Sequence, residues 1–218
     1  MSAVAKIEPL KKYLPADAWE LLLAMMGEQA FTIKIVRSRK TKLGDYRPPR
    51  QRNATPVLSI NGDLNPYAFL ITLVHEWAHL EIYRQYQWGQ VKPHGPEWQH
   101  RFQDLMQPFL AHEVFPPEVA KPLRESLQKG QASTSSSPEL LRALRRYNPP
   151  SDDRQLKLPV LEELPEGTSF LLNQQVYLKG PKRRTRYLCQ RKSNGRSYAV
   201  HGQAEVYPLP ISESSSYG

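Results

Sequence analysis

The sequence predicts an α+β domain followed by a small all-β module. Over residues 1–128, apolar residues recur at helical spacing in several segments, interrupted by two short β-branched runs. Between Lys129 and Ser137 the composition turns small and polar, as a linker would. From Leu158 onward, short β-branched and aromatic runs alternate with Asn and Gly turns.

The first helix is expected over Pro15 to Met26. Proline suits a first turn, Trp19, Leu22, Leu23 and Met26 share helical spacing, and Gly27 stops it. Phe31 to Val36 alternates with β-branched residues and reads as a strand. Thr41 to Asn53, basic and broken by Gly44, Pro48 and Pro49, reads as loop or edge strand. Val57 to Ile60 is a second strand, closed by the Asn61-Gly62 turn.

Asn65 then caps a long helix with Pro66 at its first position, expected to run to about Gln87 before Gly89. Phe69, Leu70, Leu73, Val74, Trp77 and Leu80 surround it with apolar surface, so it should be largely buried. His94-Gly95-Pro96 makes a turn into another helix through Trp98, Phe102, Leu105 and Met106, which Pro108 is expected to bend or end. Pro116 to Gln128 suggests one more helix, and Pro138 to Tyr147 an isolated one before a second break at Pro149 to Asp153. Five strands follow, at Thr168 to Leu172, Gln175 to Leu178, Thr185 to Gln190, Ser197 to Val200 and Ala204 to Tyr207, enough for a small sheet or barrel. The expected division is a domain at 1–128, a linker with a possible short helix at 129–157, a β-barrel-like module at 158–210 and a flexible tail at 211–218. No internal repeat is evident.

A chain of 218 residues can bury a core without disulfides, and with Cys189 as the sole cysteine it can form no internal disulfide and no four-cysteine zinc module. Met1 to Pro15 has no apolar signal core, and the longest strictly apolar run, Leu21 to Met26, is far too short to span a bilayer. A cytoplasmic, soluble protein with no membrane partner is therefore expected.

The chemistry concentrates at His75-Glu76-Trp77-Ala78-His79. Histidines four apart on a helix share a face and can reach one metal ion, while the adjacent carboxylate can touch a water on that ion. A lone histidine on an apolar helix is usually a hydrogen-bonded core residue; a pair flanking a buried glutamate is best explained by a cation. Catalytic zinc takes three protein ligands, so a third must come from His94, Glu97, His100, His112 or Glu113. His94 is preferred, because its Pro/Gly-restrained turn can swing the ring back over the first helix. Glu97 is better explained as a charge complementing the helix N-terminus. His100, His112 and His201 are read as surface or packing residues, and Trp77, Trp88 and Trp98 as core. Glu76 would serve as general base in peptide hydrolysis, with Tyr83 or Tyr86 as candidate oxyanion donors.

Net charge is +9, concentrated in two clusters. Lys34, Arg37, Arg39, Lys40, Lys42, Arg47, Arg50 and Arg52 face only Asp45, and Lys179 to Arg196 contains eight basic residues and no acid. Such clusters fit DNA or another nucleic acid as well as they fit a solvated surface.

Asn61 to His79 (N-G-D-L-N-P-Y-A-F-L-I-T-L-V-H-E-W-A-H), with H-G-P-E-W at His94 to Trp98 and Lys42 to Tyr46 before them, resembles the SprT-like metallopeptidases. That family includes the Spartan proteases, which degrade proteins crosslinked to DNA. The resemblance covers roughly residues 10 to 110. It implies a zincin-like metallopeptidase fold, one catalytic zinc on His75, His79 and His94, catalysis by Glu76, and protein substrates bound to or crosslinked with nucleic acid. The four-cysteine zinc ribbon that ends many bacterial members has no counterpart here; a cysteine-poor basic β module stands in its place. Tyr177, Tyr187 and Tyr198 among its Lys and Arg residues could stack on bases. The contrasting expectation is a non-enzymatic nucleic-acid-binding factor with a structural zinc, its shell closed by Glu97.

Overall fold

The computed structural model describes residues 8–27, 31–39, 42–49, 54–86, 90–130, 137–148 and 158–209. The chain divides into two compact units, 1–149 and 150–218, each with its own apolar core. The architecture is mixed α+β. Among the described residues no helix is long and apolar enough to cross a membrane.

The first unit opens with short 3-10 turns at Glu8–Tyr13 and Ala16–Ala18, then α1 (Trp19–Met26). Pro15 caps the second turn rather than starting the helix, but Trp19, Leu22 and Met26 bury the expected face. Strands β1 (Thr32–Val36), β2 (Gly44–Arg47) and β3 (Val57–Asn61) form a sheet ordered β1-β3-β2. β1 runs parallel and β2 antiparallel to β3, with Asp45 opposite Ser59 and Tyr46 opposite Leu58. The basic segment read as loop or edge strand thus supplies an edge strand.

α2 (Pro66–Gln85) is the spine of this unit, with Phe69, Leu70, Leu73, Val74, Trp77, Ala78 and Leu80 all buried. Asn65 caps it as expected, accepting from the Ala68 N–H at 3.0 Å. Its amide also donates to Leu144 O at 2.9 Å and Asn148 Oδ1 at 2.7 Å, so this 2%-exposed side chain ties the start of α2 to a helix 79 residues on. The helix ends at Gln85, about two residues short of the expected Gln87, with Tyr86 already extended; residues 87–89, Trp88 among them, lie outside the described residues.

α3 (Pro96–Ala111) continues through Pro108 instead of ending there. Burial of Phe109 and Leu110 rewards the extra turn and offsets the hydrogen bond that proline cannot donate. α4 (Pro117–Gln128) and α5 (Pro138–Arg145) complete the unit. Expected as an isolated helix in a linker, α5 instead buries Leu140, Ala143 and Leu144 in the first core, with Ser137 capping its start. Its charged residues face outward at helical spacing, so a short sequence reads as free although one face is apolar. Residues 131–136, the 149–157 break and the 211–218 tail fall outside the described residues.

The second unit is a six-stranded sheet: β4 (Ser169–Leu172), β5 (Gln175–Leu178), β6 (Lys182–Arg183), β7 (Arg186–Arg191), β8 (Ser197–His201) and β9 (Tyr207–Pro208). Asn173 and Gln174 both take positive φ and join β4 to β5 in a tight two-residue turn. The strand path runs β6-β7-β5-β4-β9 with β8 on the other edge of β7; no pairing among the described residues closes it into a barrel. The expected last strand contracts to Tyr207–Pro208, with Glu205 forming only an isolated bridge to Val160.

Candidate metal centre

Three side chains converge on one point. His75 and His79 project from successive turns of α2, and His94 reaches back from the turn before α3. In that turn the Gly95 N–H donates to Lys92 O at 2.9 Å, and His94 sits third with φ +59°. Proline second and positive φ third is the signature of a type II turn, whose third position normally takes glycine. Placing histidine there costs of order 1 kcal/mol and aims its ring over α2. A Cβ on Gly95 would lie 2.9 Å from Lys92 O, so the turn requires glycine next.

The Nε2 atoms of the three rings form a triangle: 3.3 Å between His75 and His79, 3.0 Å between His79 and His94, 3.2 Å between His94 and His75. Three nitrogens at mutual contact cannot satisfy one another, because each N–H would have to bend far from linearity. Nitrogens held about 2.0–2.1 Å from a tetrahedral cation stand roughly 3.3 Å apart, so the donor set and spacing fit a divalent metal such as zinc. Burial holds His79 down to about 4, with the nearby His94 adding to the shift, and burial also lowers His94, leaving both neutral and able to offer lone pairs. Among the described residues no carboxylate joins this cluster. Glu97 stands on the first turn of α3, where sequence reasoning put it, and His100 and His112 lie apart and exposed.

Trp98, 1% exposed, packs against all three imidazoles with ring centroids 4.7 Å from His75, 5.1 Å from His79 and 4.7 Å from His94. The residue read as core is therefore also the floor of the site. Glu81 braces the two helices, accepting from Trp77 Nε1 at 3.1 Å on α2 and Arg101 Nη2 at 3.0 Å on α3.

Glu76, 7% exposed, points from α2 toward the edge strand. Burial pushes its carboxyl up to about 7 and the charge of Asp45 adds to this; the Tyr46 backbone N–H, Arg39 and Lys42 oppose it. A cation on the imidazoles would draw it back toward the ionised form. Strand β2 passes so close that a Cβ on Gly44 would meet Glu76 Oε1 at 2.5 Å and Thr72 Cγ2 at 2.7 Å. Glycine at 44 is thus a condition of the carboxylate's position, a role the sequence signalled only through its place before Asp45-Tyr46.

The basic residues of this strand are partly structural. Asp45 binds Lys42 Nζ at 2.6 Å and Arg47 Nε at 2.8 Å. Arg39 donates to Asn61 Oδ1 at 2.9 Å and to Ser59 Oγ and O at 3.2 Å. In the second unit Lys179, counted among the polyanion-facing residues, is 4% exposed, donates to Leu164 O and lies 4.0 Å over the Tyr187 ring. Lys182 pairs with Glu162 at 3.2 Å. Arg183, Arg184, Arg186, Lys192 and Arg196 remain exposed, while Lys40, Arg50 and Arg52 lie outside the described residues.

Beside His79 a cavity of about 370 Å³ opens, walled by Tyr46, Ile82, Tyr83, Tyr86 and Val91 among others. Tyr83 and Tyr86 were candidates from sequence; Tyr46 was not. Its ring lies 5.9 Å from that of Tyr83, and its hydroxyl is buried without a hydrogen-bond partner among the described residues.

Over 79 residues the chain is 35% identical to Protein SprT of Pasteurella multocida (strain Pm70), a match covering 35% of this chain and 45% of that protein. The identity supports a SprT-like relationship, and the chain spans less than half the length of that relative. No protein-family model matches the chain, and no solved structure does.

Proposed function

We propose that this protein is a SprT-like, zinc-dependent endopeptidase with a zincin-like first unit, in which His75, His79 and His94 hold the metal and Glu76 is the catalytic base. The observation that carries this reading is the triangle of Nε2 atoms within 3.3 Å, with a buried carboxylate next to one of its members on the same helix. A divalent cation bound there would polarise a substrate carbonyl and make a water acidic near neutral pH. Glu76 would take a proton from the water as its oxygen attacks the peptide carbon, and return it to the departing amine as the C–N bond breaks. The tyrosines beside His79 offer hydroxyls along the same wall. A three-imidazole set leaves a tetrahedral cation one corner for water, which favours hydrolysis over a purely structural metal.

Zinc-loaded protein should degrade unfolded casein, stop on chelation and resume on adding zinc. The Glu76→Gln variant should bind an equivalent of zinc yet lose activity by about 10²–10⁴-fold. Proteolysis that persists in that variant rejects Glu76 as the base.

The exposed arginines and lysines of the second unit support a contact with DNA or another polyanion, and with it substrates bound to nucleic acid. Binding whose log affinity falls linearly with log salt, weakened by Arg183→Ala and Arg186→Ala, is the expected result; affinity indifferent to salt rejects it.

A further inference from the structure

We infer that the cavity beside His79 is a subsite for one large apolar side chain of the substrate, at the residue flanking the cut. This deepens the endopeptidase reading and rests on it. His79 belongs both to the imidazole triangle and to the cavity wall, so the cavity begins where the metal would sit. Successive residues of an extended peptide are about 3.8 Å apart, so a side chain entering there belongs to a residue directly beside the scissile bond.

The wall chemistry sets the preference. Ile82 and Val91 are aliphatic, and Tyr46, Tyr83 and Tyr86 present aromatic faces. A volume of about 370 Å³ takes a Leu, Met, Phe or Tyr side chain and is wastefully large for Ala or Ser. Lys92 also lines the cavity, and among the described residues no acid does, so a Lys or Arg side chain is disfavoured. The Tyr46 hydroxyl is itself buried, so Tyr46 meets the cavity through its ring.

The test maps the cuts that the zinc-loaded full chain makes in unfolded casein, by mass spectrometry. It also measures binding of peptides differing at one position to the zinc-loaded Glu76→Gln variant. Leu, Met, Phe and Tyr should be enriched at a single position adjacent to the cut, with kcat/KM at least about tenfold above the Ala counterpart. Val91→Trp, which fills the cavity, should shift the preference toward small residues, and Ile82→Ala, which enlarges it, toward the largest ones, with zinc content unchanged in both. Should either variant fail to fold, the peptide series on Glu76→Gln decides alone, because it needs no change in the cavity. Cutting without positional enrichment overturns the subsite and leaves the endopeptidase standing. No cutting of any unfolded protein by the zinc-loaded chain removes both.

Discussion

Glu76 lies between a helix that carries metal-ligand geometry and a strand that leaves it almost no room. Gly44→Ala would drive a methyl group to 2.5 Å from its Oε1, displacing the carboxylate while leaving the imidazoles, on other residues, in place. The expected outcome is unchanged zinc stoichiometry with activity down by about a hundredfold, as for other displacements of roughly 1 Å; full activity in Gly44→Ala would mean that the carboxylate's position is not critical. The three histidines were legible in the sequence because i, i+4 spacing on an apolar helix and a Pro/Gly turn are local signals. Gly44 and Tyr46 were not, since their importance arises from β2 lying against α2, a contact no local pattern encodes. The internal partners of Arg39, Lys42 and Lys179 were hidden for the same reason: a basic residue looks alike in sequence whether it faces solvent, a carboxylate or a carbonyl.

At the scale of elements, α2 and α5 were each visible as helices, but their association was not. Asn65 links them, serving α2 as cap and α5 as anchor with one side chain. Asn65→Ala removes the cap and leaves the Leu144 carbonyl without that donor, a loss of roughly 1–3 kcal/mol in urea or thermal unfolding. Asn65→Asp keeps the capping oxygen but not the amide donors, so an intermediate loss is expected. Equal stability of both variants and the parent would mean that the link contributes nothing. The continuation of α3 through Pro108 shows the same hierarchy: a local breaker yields when the turn beyond it buries Phe109 and Leu110. In the β unit, turn residues such as Asn173 marked the strands well, while the brief pairings of β6 and β9 depend on neighbours the sequence does not name.

For the whole molecule, two separate cores imply two units that should fold independently. Residues 1–149 alone should unfold cooperatively and bind zinc, since every ligand and the packing beneath them lie inside that unit; failure to do so would tie the metal site to the second unit. All of this depends on three imidazoles meeting at one cation with a corner left over. X-ray absorption at the zinc edge of the full chain addresses that most directly. Three imidazole nitrogens at about 2.0–2.1 Å and a single exchangeable oxygen donor are the expected shell. A fourth protein ligand, a sulfur scatterer, or an unchanged shell in His94→Ala would contradict it.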